Sequence, residues 1–96
     1  MSEKRGTMQK DPVQIGEIVY CLKGRDSGRY FAVVKVEDGF CYLADGKHRK
    51  ICSHKKKKEK HLQPTGCRIE GYAEREKAFG ISNPFLSKAL RPYTEN

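Results

Sequence analysis

No run of apolar residues approaches the roughly 20 that a membrane-spanning helix needs, and the opening residues, MSEKRGTMQKDPVQ, hold no apolar core of a secretory signal. Both absences point to a cytoplasmic protein. The chain also lacks close CxxC pairs, a phosphate-cradling P-loop, a nucleophile elbow, and any carboxylate pair flanked by apolar residues. Nothing in it reads as catalytic, and no cofactor is expected. Cys21, Cys41, Cys52 and Cys67 would allow disulfides, but without a secretory signal they are read as thiols. Cys52-x-His54, with Cys41, His48 or His61, offers enough soft ligands for zinc. The spacing is not that of a zinc module, however, and His48 and His54 sit among lysines, so no metal is assigned.

Acidic residues are scarce. Twelve Asp and Glu stand against twenty Lys and Arg, leaving a net charge of +8. Residues 15–65 carry twelve basic and six acidic side chains, whereas 1–14 and 66–96 each hold a net +1. A concentrated positive field steers polyanions, nucleic acid first. No basic amphipathic helix accompanies it, which argues against a membrane surface.

The alternating apolar character is concentrated between Gly16 and Asp45. Ile18–Leu22 and Tyr30–Val36, rich in β-branched and aromatic residues, bracket a turn-forming Lys-Gly-Arg-Asp-Ser-Gly-Arg segment and predict strand, loop, strand. In the second run Ala32, Val34 and Val36 share one face and Phe31, Val33 and Lys35 the other, so one face is expected to be buried and the other partly covered. Asp38-Gly39 signals a hairpin into a third strand, Phe40–Ala44. A short basic fourth strand is expected within Gly46–Ser53, with Ile51 inward. The run Lys55–Lys60 is expected to be an extended or loosely turned loop, because like charges repel. A short fifth strand, His61–Thr65, has Leu62 plugging the core and Pro64 confining it to an edge. The core is placed between Ile15 and Leu62.

Residues 1–13 read as a flexible arm, with the first strand starting at about Val13 to Gly16. From residue 66 onward the pattern turns helical. Tyr72, Ala73 and Phe79 suit a short helix over 70–79, stopped by Gly80. Ser82 and Pro84 then open a second helix carrying Phe85, Leu86, Ala89 and Leu90 on one stripe, ended by Pro92. That stripe either packs on its own domain or meets a partner.

Gly16–Val36, with apolar residues leading into Gly24-Arg-Asp-Ser-Gly28 and then Tyr-Phe-Ala-Val-Val, resembles the KOW motif of ribosomal proteins and transcription-elongation factors. Tyr42-Leu-Ala-Asp-Gly-Lys-His-Arg49, the lysine run and His61-Leu-Gln-Pro-Thr65 extend the resemblance toward an archaeal and eukaryotic large-subunit ribosomal protein and its small bacterial relatives. The resemblance covers roughly half the chain. It implies a mainly β fold, a small SH3-like barrel of about five strands over 14–65; the two short C-terminal helices in 66–96 are not part of the shared motif and rest on the residue pattern alone. It also implies RNA binding without enzymatic activity, with ribosomal RNA and neighbouring ribosomal proteins as the partners; outside its complex the protein is expected to be a monomer.

For RNA the chain offers Lys23, Arg25 and Arg29 around the first loop, then Lys47, Arg49, Lys50, Lys55, Lys56, Lys57 and Lys58, with His48 among them. Arg holds phosphate in a bidentate fork, and lysine supplies point charge. The plainer reading of the same residues makes Arg25–Asp26 and Arg49–Asp45 solvated ion pairs and Asp26 a cap of its own turn. It also gives Tyr30, Phe31, Phe40 and Tyr42 to sheet packing. A competing function is a protein-interaction module docking through the barrel or through Phe85, Leu86 and Leu90.

Overall fold

A computed structural model describes residues 13–94. The arm expected over 1–13 therefore lies outside the described residues, except for Val13. That residue is buried, its N–H donating to Glu59 Oε2 at 3.0 Å. The first strand begins later than expected, at Glu17.

Five antiparallel strands form one sheet: β1 (Glu17–Cys21), β2 (Tyr30–Glu37), β3 (Phe40–Ala44), β4 (Lys55–Lys58) and β5 (Leu62–Arg68). Their order is β4-β3-β2-β1-β5, so β4 and β5 are edges and the barrel anticipated from the sequence is an open, curled sheet. Two helices follow, α1 (Tyr72–Ala78) and α2 (Asn83–Thr94). No helix among the described residues is long and apolar enough to cross a membrane.

The β2–β3 hairpin is turned by Asp38 (φ 51°) and Gly39 (φ 79°), two successive positive φ values of the kind that match strand twist. Pro64 sits on the β5 edge, where its missing N–H breaks no ladder.

Two expectations about the basic segments are overturned. Gly46–Ser53 is not a strand. The backbone N–H groups of Asp45 and Gly46 both donate to the Arg49 carbonyl, closing a tight loop, and Ile51–Ser53 is a turn of 3-10 helix. The lysine run is the fourth strand instead, paired Phe40↔Lys58, Cys41↔Lys57, Tyr42↔Lys56 and Leu43↔Lys55. Alternation makes this possible. Successive ammonium groups point to opposite faces, and one of them, that of Lys56, meets two aromatic rings.

The core is also larger than Ile15–Leu62. On the concave side Val19, Cys21, Phe31, Val33, Cys41, Leu43 and Leu62 pack together with Val13. On the other side Ile18, Ala32 and Ala44 are covered by Ile69, Tyr72, Leu86 and Leu90, while Ile15 is 38% exposed. Phe31, Ala32 and Val33 are consecutive and all fully buried, which requires cover on both faces of β2. The helices provide the second cover, so the apolar stripe of α2 packs on its own domain.

Helix α2 begins as expected, with Ser82 Oγ accepting the Phe85 N–H at 3.3 Å. It does not stop at Pro92. One more turn runs to Thr94, with Tyr93 packed on Tyr30 at 5.3 Å between ring centroids. The loop after β3 docks directly on the start of this helix. Gly46 (φ 79°) lies against the Asn83 carbonyl where no side chain would fit, and Asn83 Oδ1 accepts the Ile51 N–H at 2.8 Å.

Candidate nucleic-acid interface

Alternation along β3 decides which side chains face solvent. Cys41 and Leu43 point into the concave core, and Phe40, Tyr42 and Ala44 share the opposite face. Helix α2 covers the Ala44 end of that face. The Phe40–Tyr42 end is left half-exposed, and three of the four cross-strand partners of these two rings are basic: Lys58 opposite Phe40, and Lys56 and Lys35 opposite Tyr42, with Glu37 on the other side of Phe40.

The result is a plate in which rings and ammonium groups interleave. Lys56 Nζ stands 4.5 Å from the Phe40 ring centre and 5.9 Å from that of Tyr42, and Lys35 Nζ is 5.3 Å from Tyr42. His54 meets Tyr42 edge-on at 5.1 Å. Glu37 is the acidic residue of this plate: Tyr42 Oη donates to its Oε1 at 3.3 Å, and Lys35 pairs with the same oxygen at 3.6 Å.

Lys55 and Lys57 point the other way. The Lys57 ammonium lies against Gly24 in the β1–β2 loop, beside Lys23. Lys57, Lys58, Lys60 and Lys23 also surround His61. Loss of hydration, and then these four positive charges, hold its imidazole below the ordinary value. This second basic group therefore runs along the rim of the sheet.

Arg25, Lys47 and Lys50 are exposed on the loops at the opposite end of β3, and Arg29 and Lys47 both line a groove beside α2. Arg49 is placed differently from the other basic residues. Its guanidinium donates to Asp26 Oδ2 from Nε (3.3 Å) and Nη2 (3.0 Å), a half-buried pair that joins the two loops. Neither pairing anticipated from sequence forms: Asp26 takes Arg49 rather than capping its own turn or pairing with Arg25. Asp45 accepts the backbone N–H groups of Lys47 (2.9 Å) and Arg49 (2.7 Å).

Of the four aromatic residues assigned to packing, Phe31 is fully buried and Tyr30 lies between Tyr20 and Tyr93. Phe40 and Tyr42 are the two that stay half-exposed on the sheet face, with ammonium groups over their rings. Sequence reasoning grouped all four because it left the lysines in a loop. The signal that would have separated them is the phase of Lys55–Lys58 against Phe40–Leu43.

Burial pushes the Cys41 thiol up to about 11, Glu59 and Glu17 adding to the effect. No three His, Cys, Asp or Glu side chains gather as metal ligands among the described residues. No protein-family model matches the chain, and no curated protein matches it.

Proposed function

We propose that this protein is a non-catalytic RNA-binding protein, ribosomal or ribosome-associated, that takes single-stranded or looped RNA across the β3–β4 face. The observation that carries the reading is Phe40 and Tyr42 side by side on one sheet face, with Lys35, Lys56 and Lys58 opposite them. Unpaired bases stack on the half-exposed rings as the lysines over them swing onto the phosphates, and neither contact requires a particular sequence. Lys23, Lys55 and Lys57 extend the positive field around the rim, and Arg25, Arg29, Lys47 and Lys50 carry it to the loops. Arg49 acts as a brace that holds two of those loops together. The KOW resemblance of Gly16–Val36 and Tyr42–Thr65 supports the same reading, with ribosomal RNA as the partner.

Docking of a protein through the α2 stripe is the less favoured reading, because Leu86 and Leu90 are spent on the sheet. The test is a salt series of binding to ribosomal RNA and to matched double-stranded DNA, for the parent and for Lys56→Ala/Lys58→Ala. RNA preference, a steep salt dependence, and a slope reduced by about 0.7 for each lost phosphate contact are expected. Equal, weak binding of both nucleic acids by parent and variant alike would reject the proposal.

A further inference from the structure

Beside α2 lies a groove of about 320 Å³, walled by the β1–β2 loop, the loop after β3 and the last turns of the helix. Four basic side chains from these three elements line it: Arg29, Lys47, His48 and Arg91. Asp45 is its carboxylate, and one carboxylate oxygen is turned into the loop, where it receives the Lys47 and Arg49 N–H groups. Leu90 and the half-buried Tyr93 ring supply an apolar side, and Ser87 a hydroxyl.

We propose that this groove is a site for the phosphomonoester end of a nucleotide, with Arg29 and Lys47 on the phosphate and the sugar and base against the Tyr93 ring. Charge and size both point there. Basic groups converging from three elements suit a dianionic terminal phosphate better than the single charge of an internal phosphodiester. The volume is at the lower end of the roughly 300–1,000 Å³ of small-molecule sites, enough for one nucleotide. A bare phosphate ion would leave the half-buried Tyr93 ring uncovered. The inference rests on the RNA reading for its ligand class, but it assigns a site separate from the β3–β4 plate. The same chemistry is offered by an RNA terminus and by a free nucleoside monophosphate.

The test uses the full chain and short single-stranded RNAs that differ only in carrying a terminal phosphate, at one end or the other, or hydroxyls at both. Adenosine monophosphate, adenosine and inorganic phosphate are titrated separately. A terminal phosphate at one end should tighten binding about tenfold, the effect of one charge-assisted hydrogen bond. Arg29→Ala/Lys47→Ala should erase that ratio, whereas Lys56→Ala/Lys58→Ala should weaken every RNA and preserve it. Adenosine monophosphate should bind and adenosine should not.

Equal binding of phosphate-ended and hydroxyl-ended RNA by the parent, without binding of adenosine monophosphate, overturns the site and leaves the RNA reading standing. Binding of adenosine monophosphate with no RNA bound keeps the site as one for a free nucleotide and removes the RNA reading. Inorganic phosphate binding as tightly as the nucleotide overturns the nucleotide assignment. The comparison within the parent protein decides the matter even if the groove variant fails to fold.

Discussion

Arg49 and Asp26 are 23 residues apart in the chain, and Nη2 of one lies 3.0 Å from Oδ2 of the other. The pair ties the β1–β2 loop to the loop after β3, the two segments that carry Arg25, Arg29, Lys47 and Lys50. A basic residue within a basic cluster thereby has a carboxylate partner of its own.

Arg49→Ala should destabilise the fold by about 1–3 kcal/mol, the range for hydrogen bonds to a charged group. Asp26→Asn should cost less. In a double-mutant cycle followed by urea unfolding, the two changes should be strongly non-additive. Strict additivity would mean that the pair contributes nothing.

Phe40→Ala and Tyr42→Ala should each weaken binding of single-stranded RNA by about 1–3 kcal/mol, the cost of a lost stacking platform. Tyr42→Phe keeps the ring and should bind nearly as well as the parent. These variants should leave the salt slope almost unchanged, in contrast to the lysine variants, and fluorescence anisotropy across a salt series separates the two classes.

His61 gives the binding a pH signature. Its imidazole is held below the ordinary value of 6.5 by lost hydration and by Lys23, Lys60, Lys57 and Lys58, so the free protein resists protonating it. A phosphate backbone bound at this rim reverses the sign of the local field and favours the imidazolium. Binding should therefore take up a proton, and affinity should rise as pH falls from about 7.5 toward 5.5. His61→Gln should flatten that rise. A parent affinity independent of pH would place the RNA away from this rim.

Tyr72 is 3% exposed, and burial, with Glu76 adding to it, pushes its phenol up to about 12 from 10.0. The neutral form is favoured in the folded state. Its stabilisation is complete below pH 10 and is lost as pH rises from there through 12. Up to about 3 kcal/mol should disappear over that window, and Tyr72→Phe should lose less over the same window. Denaturant midpoints measured from pH 8 to 12 test this.

The parts of the fold visible in the sequence are those specified locally. Asp38-Gly39 is a turn because both positions accept positive φ, Pro64 marks an edge because it cannot donate, and Ser82 caps a helix through its own hydroxyl. What could not be read is what depends on a distant partner. Four lysines in a row have no reason to be a strand until Phe40 and Tyr42 are set opposite them. Asp26 belongs to its own turn until Arg49 arrives from the next loop. The cover on the outer face of β2 comes from Leu86 and Leu90, more than fifty residues further along the chain. The groove could not be inferred at all, since it exists only where α2 closes on two loops, and Pro92 argued against the helical turn that carries Tyr93.

Strand β4 is one edge of the sheet, and its outward backbone groups offer a template to any extended chain. A second copy presenting the same edge would bring four lysines against four, a repulsion that keeps the sheet from growing by one strand after another. A polyanion laid along β4 removes that repulsion. The side chains proposed to hold RNA are therefore also the guard against edge-to-edge assembly, and a protein saturated with nucleic acid has less of that guard than the same protein free in salt solution.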